Sequence, residues 1–229
     1  MEISLAYEEK GQGTPFVMLH GNGEDRRYFK YQLAYFSRHY RVVLLETRGH
    51  GASPRGRAPF TIDQFARDLK DFLDEKGFEK IILLGFSDGG NIALTFGAKY
   101  PGYLSRLIVN GANLSPWGVR AKDQAPYVAD FAFQSLLAPF SKKAAEKREL
   151  LDLVVRQPHI DPASLGAISV PTLVVAGKED MIRESETRRI AAAIPGSILR
   201  ILPGDHFLAR RRWKEFNALL DDFLEGRLE

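Results

Sequence analysis

Ile81-Ile82-Leu83-Leu84-Gly85-Phe86-Ser87-Asp88-Gly89-Gly90-Asn91-Ile92-Ala93-Leu94 passes from an unbroken apolar run, through a Gly-x-Ser-x-Gly turn, into an apolar stretch that closes at Pro101-Gly102. The run before the turn has the continuity of a strand buried on both faces of a parallel sheet. The stretch after it has helical character and a helix-stopping end. A strand turning sharply into a helix with a serine at the tip is the sequence form of a nucleophile elbow. The five-residue pattern alone recurs by chance; the strand before it and the helix after it give it meaning. A free serine hydroxyl is a poor nucleophile. On a strained turn with a helix N-terminus behind it, it stands exposed to a base and to an electrophile. Glycines flank it because a Cβ would crowd the backbone there.

Outward from the elbow, strands and helices alternate. Strands are expected over residues 3–7, 16–19, 41–45, 107–109, 172–175 and 198–202. Helices are expected over 27–36, 61–75, 183–194 and 213–224, with Thr61 and Gln64 forming a capping box. This alternation predicts an α/β fold, a mostly parallel central sheet with helices on both faces. One connection is too long for a loop. Roughly sixty residues separate Val109 from Thr172, against the two to six of an ordinary βα connection. Residues 112–168 carry helical apolar patterning, so they are expected to form a small helical cap over the strand ends, or else a purely structural helical pair. The whole chain, 1–229, is read as a single domain with this insertion.

Composition narrows the partners. The net charge is only +3, so no basic field points to nucleic acid, and Arg210-Arg211-Arg212 reads as a solvated face opening the last helix. The absence of cysteine excludes disulfides, thiolate metal sites and a cysteine nucleophile, and fits a reducing compartment. No secretory leader is visible, and no apolar stretch approaches the ~20 residues of a membrane helix. The expectation is a cytoplasmic monomer or small homo-oligomer acting on a small-molecule ester, with no nucleic-acid or membrane partner, no metal and no organic cofactor.

A serine elbow needs a base, an acid that orients the base, and donors for an oxyanion. Of five histidines, His39 reads as a surface residue, His159 lies in a polar loop at the end of the long connection, His20 belongs to the turn after a strand, and His50, in a strand-end loop, stays open as an alternative base. His206 is the preferred base. It follows the last strand through Pro203-Gly204-Asp205, on the edge where the carboxyl ends of parallel strands form active sites. The orienting acid should hang from the end of the preceding strand, where Asp180 is the choice and Glu179 the alternative. Asp205, adjacent to His206, reads as a turn residue.

With Ser87, Asp180 and His206 in that order, His20-Gly21-Asn22-Gly23 after an early strand and Arg48-Gly49-His50-Gly51 after the next, nearly the whole chain resembles the α/β-hydrolase superfamily. Within it, Gly85-Phe86-Ser87-Asp88-Gly89-Gly90 with Ala98-Lys99-Tyr100-Pro101 is similar to the small-capped, biphenyl-hydrolase-like (valacyclovir-hydrolase-like) group. The resemblance implies a Ser87–His206–Asp180 triad, an oxyanion hole built from the backbone N–H groups of Asn22 and Asp88, and loop-shaping roles for His20 and His50. The implied activity is serine-type hydrolysis of carboxylic esters. Carbon–carbon bond hydrolysis or cofactor-free perhydrolysis on the same triad is one alternative, and a non-catalytic ligand receptor is another. Trp117, Tyr127 and Phe131, with Phe133 and Phe140, are candidate pocket aromatics, or cap core. The Asp88 carboxylate either faces the pocket, favouring a cationic substrate, or is engaged by its own loop.

Overall fold

Alternation along the strands divides their side chains between two apolar cores. Val17, Leu19, Val43, Leu45, Leu83 and Val109 face one core. Phe16, Met18, Val42, Leu44, Leu84 and Ile108 face the other. A period of two on a strand buried on both faces produces this split, and it requires a helical layer on each side. A computed structural model describes residues 2–228, and both layers are present. The strands are β1 (Tyr7–Lys10), β2 (Pro15–Leu19), β3 (Arg41–Leu45), β4 (Ile81–Phe86), β5 (Leu104–Asn110), β6 (Thr172–Gly177) and β7 (Ile198–Leu202). They form one sheet in the order β1-β3-β2-β4-β5-β6-β7. Only β1 runs antiparallel to its neighbour.

Helices α2 (Ile62–Lys76) and α3 (Asp88–Lys99) cover the first face. Phe65, Leu69 and Phe72 of α2 and Ile92 and Phe96 of α3 enter that core. On the second face lie α1 (Lys30–Phe36) and the C-terminal pair α7 (Leu208–Arg211) and α8 (Trp213–Leu224). Leu33, Phe36, Phe216 and Leu220 anchor them. The long β5–β6 connection holds an antiparallel pair, α4 (Ala121–Leu137) and α5 (Lys142–Arg156), and α6 (Glu184–Ala193) lies between β6 and β7.

Four sequence expectations change. The first strand is Tyr7–Lys10, not 3–7. Ile3 and Leu5 are buried as their apolarity demands. Next to them, Ala6 N–H bonds to Ser53 Oγ (2.8 Å) instead of to a strand, and the ladder begins only at Tyr7↔Leu45. The strand that results is fully exposed and charged, which suits a sheet edge. The helix expected over 27–36 starts with a 3-10 turn, Arg26–Phe29, before α1. The capping box is half formed. Thr61 Oγ1 accepts from Gln64 N–H at 3.1 Å, but the Gln64 side chain donates to Asp68 (3.0 Å) instead of reaching back. The arginine run lies in and just after α7, before α8 begins.

Candidate active site

The turn between β4 and α3 carries the strain that the sequence suggested. Ser87 has φ 54° and ψ −120°, and it is the only non-glycine residue with positive φ among the described residues. Its side chain is half-buried, whereas the whole of β4 is buried. A non-glycine residue persists there only if the surroundings over-determine it. They do: a Cβ at Gly85 would strike the Gly89 carbonyl, and a Cβ at Gly89 would strike the Leu19 carbonyl of β2. The two glycines let the helix start press directly against the strand ends, and the serine is left projecting.

His206 reaches Ser87 from the loop after β7. Its Nε2 lies 3.0 Å from Ser87 Oγ, and its Nδ1 lies 2.6 Å from Asp180 Oδ1. Asp180, just past β6, is 1% exposed, and its Oδ1 also accepts from Ile182 N–H at 2.9 Å. With Nδ1–H donated to the carboxylate, the Nε2 lone pair is aimed at the serine hydroxyl. The imidazole is held between Phe86 and Phe207, at ring separations of 4.8 and 5.5 Å. Glu179, the alternative acid, is exposed and accepts from Gly204 N–H (3.1 Å), bracing the β7 turn and leaving the imidazole to Asp180. Asp205 accepts from Phe207 N–H and pairs with Arg211, as a turn residue would.

The other histidines are accounted for without chemistry. His20 Nε2 accepts from Thr47 N–H (3.2 Å), so its Nδ1–H is the donor to Gly21 O (2.8 Å). His50 Nδ1 contacts Arg48 O and Thr47 Oγ1. Burial lowers both histidines, His50 to about 4, so His50 stays neutral and shapes its loop. His39 and His159 are exposed.

A cavity of about 200 Å³ opens beside Ser87. Its walls include Asn22 and Asp88 from the two loops named in the sequence, Met181 and Ile182 beyond β6, and Tyr127, Leu151 and Val154 from the α4–α5 pair. That pair is tied down by polar contacts. Asn22 Nδ2 donates to Leu150 O (2.8 Å), and Arg55 forms a double hydrogen bond to Glu149 (2.7 Å each). Four of the five aromatic candidates fall away, Phe133 and Phe140 because they are exposed and outside the cavity lining. Trp117 is 83% exposed and does not line the cavity, and Phe131 is buried, its ring covered by Arg156. Helix phase separates Tyr127 from Phe131 on α4, where the first faces the cavity and the second the interior, whereas Trp117 lies before α4 in the 3-10 turn Pro116–Gly118.

Asp88 is buried in the cavity wall, and both its oxygens are taken by side-chain amides. Asn22 Nδ2 donates to Oδ2 (2.9 Å) and Asn91 Nδ2 to Oδ1 (3.2 Å). Burial pushes its carboxyl up. Three further residues shape the site without a signal in the sequence. Asn91 continues the network to Asn113 (3.1 Å). Gly111 has φ +62°, and a Cβ there would approach the His206 ring within 2.9 Å. Glu24 lines the cavity with a buried Oε2 that has no hydrogen-bond partner among the described residues. Burial pushes Glu24 up to about 7, against the pull of Arg210 and His206.

The raised Glu24 carboxyl has a consequence for stability. It binds its proton more tightly folded than unfolded, so its contribution is complete below 4.5 and is lost as pH rises toward 7. Thermal melts at pH 5 and pH 7.5 are expected to show the parent losing more stability than Glu24→Gln. An identical pH dependence in the two proteins would refute it.

Comparison with known proteins places this geometry. The profile described as alpha/beta hydrolase fold matches residues 14–151. The chain is 30% identical to Serine hydrolase BPHL of Homo sapiens, over 97% of this chain and 84% of that protein. It is 26% identical to a Putative non-heme chloroperoxidase of Synechocystis sp., over 97% and 95%. Among solved structures, the enol-lactonase from Burkholderia xenovorans LB400 superposes with a TM-score of 0.82 at 21% identity, covering 97% of each chain.

Proposed function

Since the chain belongs to the α/β-hydrolase family, we propose that it is a serine hydrolase, acting in the cytoplasm, that cleaves carboxylic esters of small molecules through an acyl-serine intermediate. The observation that carries this reading is the hydrogen-bonded line from Ser87 Oγ through His206 to Asp180. The human relative's name, a serine hydrolase, supports the same chemistry. Ser87 Oγ attacks the ester carbonyl while His206 Nε2 takes the hydroxyl proton, and Asp180 stabilises the imidazolium. The proton then passes to the leaving alcohol as its bond to the acyl carbon breaks. Water, deprotonated by the same imidazole, releases the acid and restores the serine. The backbone N–H groups of Asn22 and Asp88 receive the oxyanion; Asp88 opens α3, where helix N–H groups lack intrahelical partners.

Residues 112–168 act as the cap of a single domain. The cavity of about 200 Å³ suits a short acyl or alcohol group, and an adjoining open one of about 440 Å³, which shares Tyr127, Met181, His206 and Phe207, leaves room for the other half of the ester. The direct test is labelling by a fluorophosphonate probe, together with turnover of short p-nitrophenyl esters, vinylogous diketones and peracid formation. Labelling with ester turnover supports the proposal. Labelling with turnover only of the diketone or of peroxide moves the triad to other chemistry, and no labelling removes the nucleophile.

The Asp88 carboxylate yields a substrate prediction. The lining of the smaller cavity contains Asp88 and Glu24 but no lysine or arginine, and Asp88 is held only by neutral amides. An ammonium group on the substrate would compensate a carboxylate so placed. An amino-acid benzyl ester is therefore expected to be preferred over its des-amino analogue by about ten- to a hundredfold. Asp88→Asn should erase the preference and keep the neutral activity, because the oxyanion donor is the backbone N–H. Equal rates on the two esters in the parent would make Asp88 a structural residue.

A further inference from the structure

The last turns of helix α4 and the turn that follows it, which holds Phe140, carry an apolar stripe that the rest of the chain leaves uncovered. Phe133, Leu136, Leu137 and Phe140 follow one another at i, i+3, i+4 and i+7, the spacing that gives a helix one apolar face. In a globular helix that face turns inward. Here the inward positions of α4 are held by Phe131 and Gln134, and the stripe looks out, with Leu136 74% and Phe140 90% exposed. Among the described residues, every exposed large hydrophobic except Tyr7 lies between Trp117 and Phe140. A concentration of that kind marks an interaction surface.

Charge identifies the partner. The stripe ends at the turn into α5, where Lys142 and Lys143 are both exposed. From Asp130 to Arg148 the chain has Lys142, Lys143, Lys147 and Arg148 against Asp130 and Glu146, a net charge of +2. An apolar strip rimmed by lysines matches the interface of an anionic bilayer, in which rings and aliphatic groups enter the acyl boundary and ammonium groups meet phosphates. A second copy fits less well. A two-fold contact through this tip would set Lys142 and Lys143 of both copies along one rim, like charge against like.

We propose that the tip of the α4–α5 hairpin docks on anionic phospholipid surfaces, with Phe133, Leu136 and Phe140 inserted and Lys142 and Lys143 bound to headgroups. The expectation of no membrane partner rested on the lack of a spanning segment. No described helix is long and apolar enough to cross a membrane, and a docking tip needs none. Three inserted side chains and two lysines make such binding reversible and salt-sensitive.

Co-sedimentation of the full chain with vesicles tests it, using phosphatidylcholine alone and phosphatidylcholine containing about one-third phosphatidylglycerol. The parent should sediment with the anionic vesicles in preference to the neutral ones, and less so at high salt. Leu136→Ser with Phe140→Ser should weaken that binding about tenfold or more. Lys142→Gln and Lys143→Gln should each weaken it about fivefold, and these exposed positions keep the test open should the serine variant melt early. Failure of the parent to sediment, or undiminished binding by all these variants, would overturn the proposal. So would light scattering that shows a dimer lost on Leu136→Ser with Phe140→Ser while vesicles bind neither protein.

Discussion

Ser87→Ala is expected to abolish ester turnover and fluorophosphonate labelling together, a loss of roughly 10⁶ in kcat, while the protein stays folded. The Ser87 hydroxyl contacts the His206 imidazole, the side chain is half-buried, and the strain of the turn lies in its backbone. Removing the hydroxyl therefore takes away the nucleophile and little of the packing. His206→Ala should cost about as much, because nucleophile and base act as one unit. The double variant should then be no worse than either single one. A Ser87→Ala protein that retained full turnover would mean that the chemistry runs elsewhere, and melting both proteins separates loss of chemistry from loss of fold.

The second large effect distinguishes two neighbouring acids. Asp180→Asn is expected to lower kcat by roughly 10⁴, since an amide can hold the imidazole in the wrong tautomer and cannot stabilise its cation. Glu179→Gln should change kcat little. Glu179 braces the Gly204 backbone from the outside, whereas Asp180 is buried 2.6 Å from His206 Nδ1. Steady-state rates on one p-nitrophenyl ester decide it, and equal losses in the two variants would defeat the assignment. The pH profile adds a readout that a merely structural role would not move. With Asp180→Asn, the pH profile of kcat/KM should change, whereas Glu179→Gln should leave it in place.

Legibility differed between parts of the site. The order of the sheet's β/α units and the loops that carry Ser87, Asp180 and His206 were readable because each rests on a local pattern: an apolar run, a glycine-rich turn, a strand-end loop. The choice between Glu179 and Asp180 was not local, because adjacent residues on a loop point in opposite directions and only the packed loop says which one meets the imidazole. Aromatic candidates in the helical connection were harder still. Trp117, Tyr127 and Phe131 have similar composition and spacing, yet one is exposed, one lines the cavity and one is interior.

What the sequence determined by itself, then, was whatever a short window of chain must do to satisfy its own backbone and side chains: the buried strand read at 81–84, the turn that only small neighbours permit, and the parallel sheet that such strands require. The tertiary structure alone decided what depends on groups distant along the chain. It set the first strand at Tyr7–Lys10, because Ala6 bonds to Ser53 instead. It brought Glu24 and Asp88 into one cavity wall, and made Gly111 the floor beneath His206. It also turned the stripe from Phe133 to Phe140 away from the core. A helical period fixes which residues share a face, but only the packing of α4 against α5 and the strand ends fixes which way that face looks.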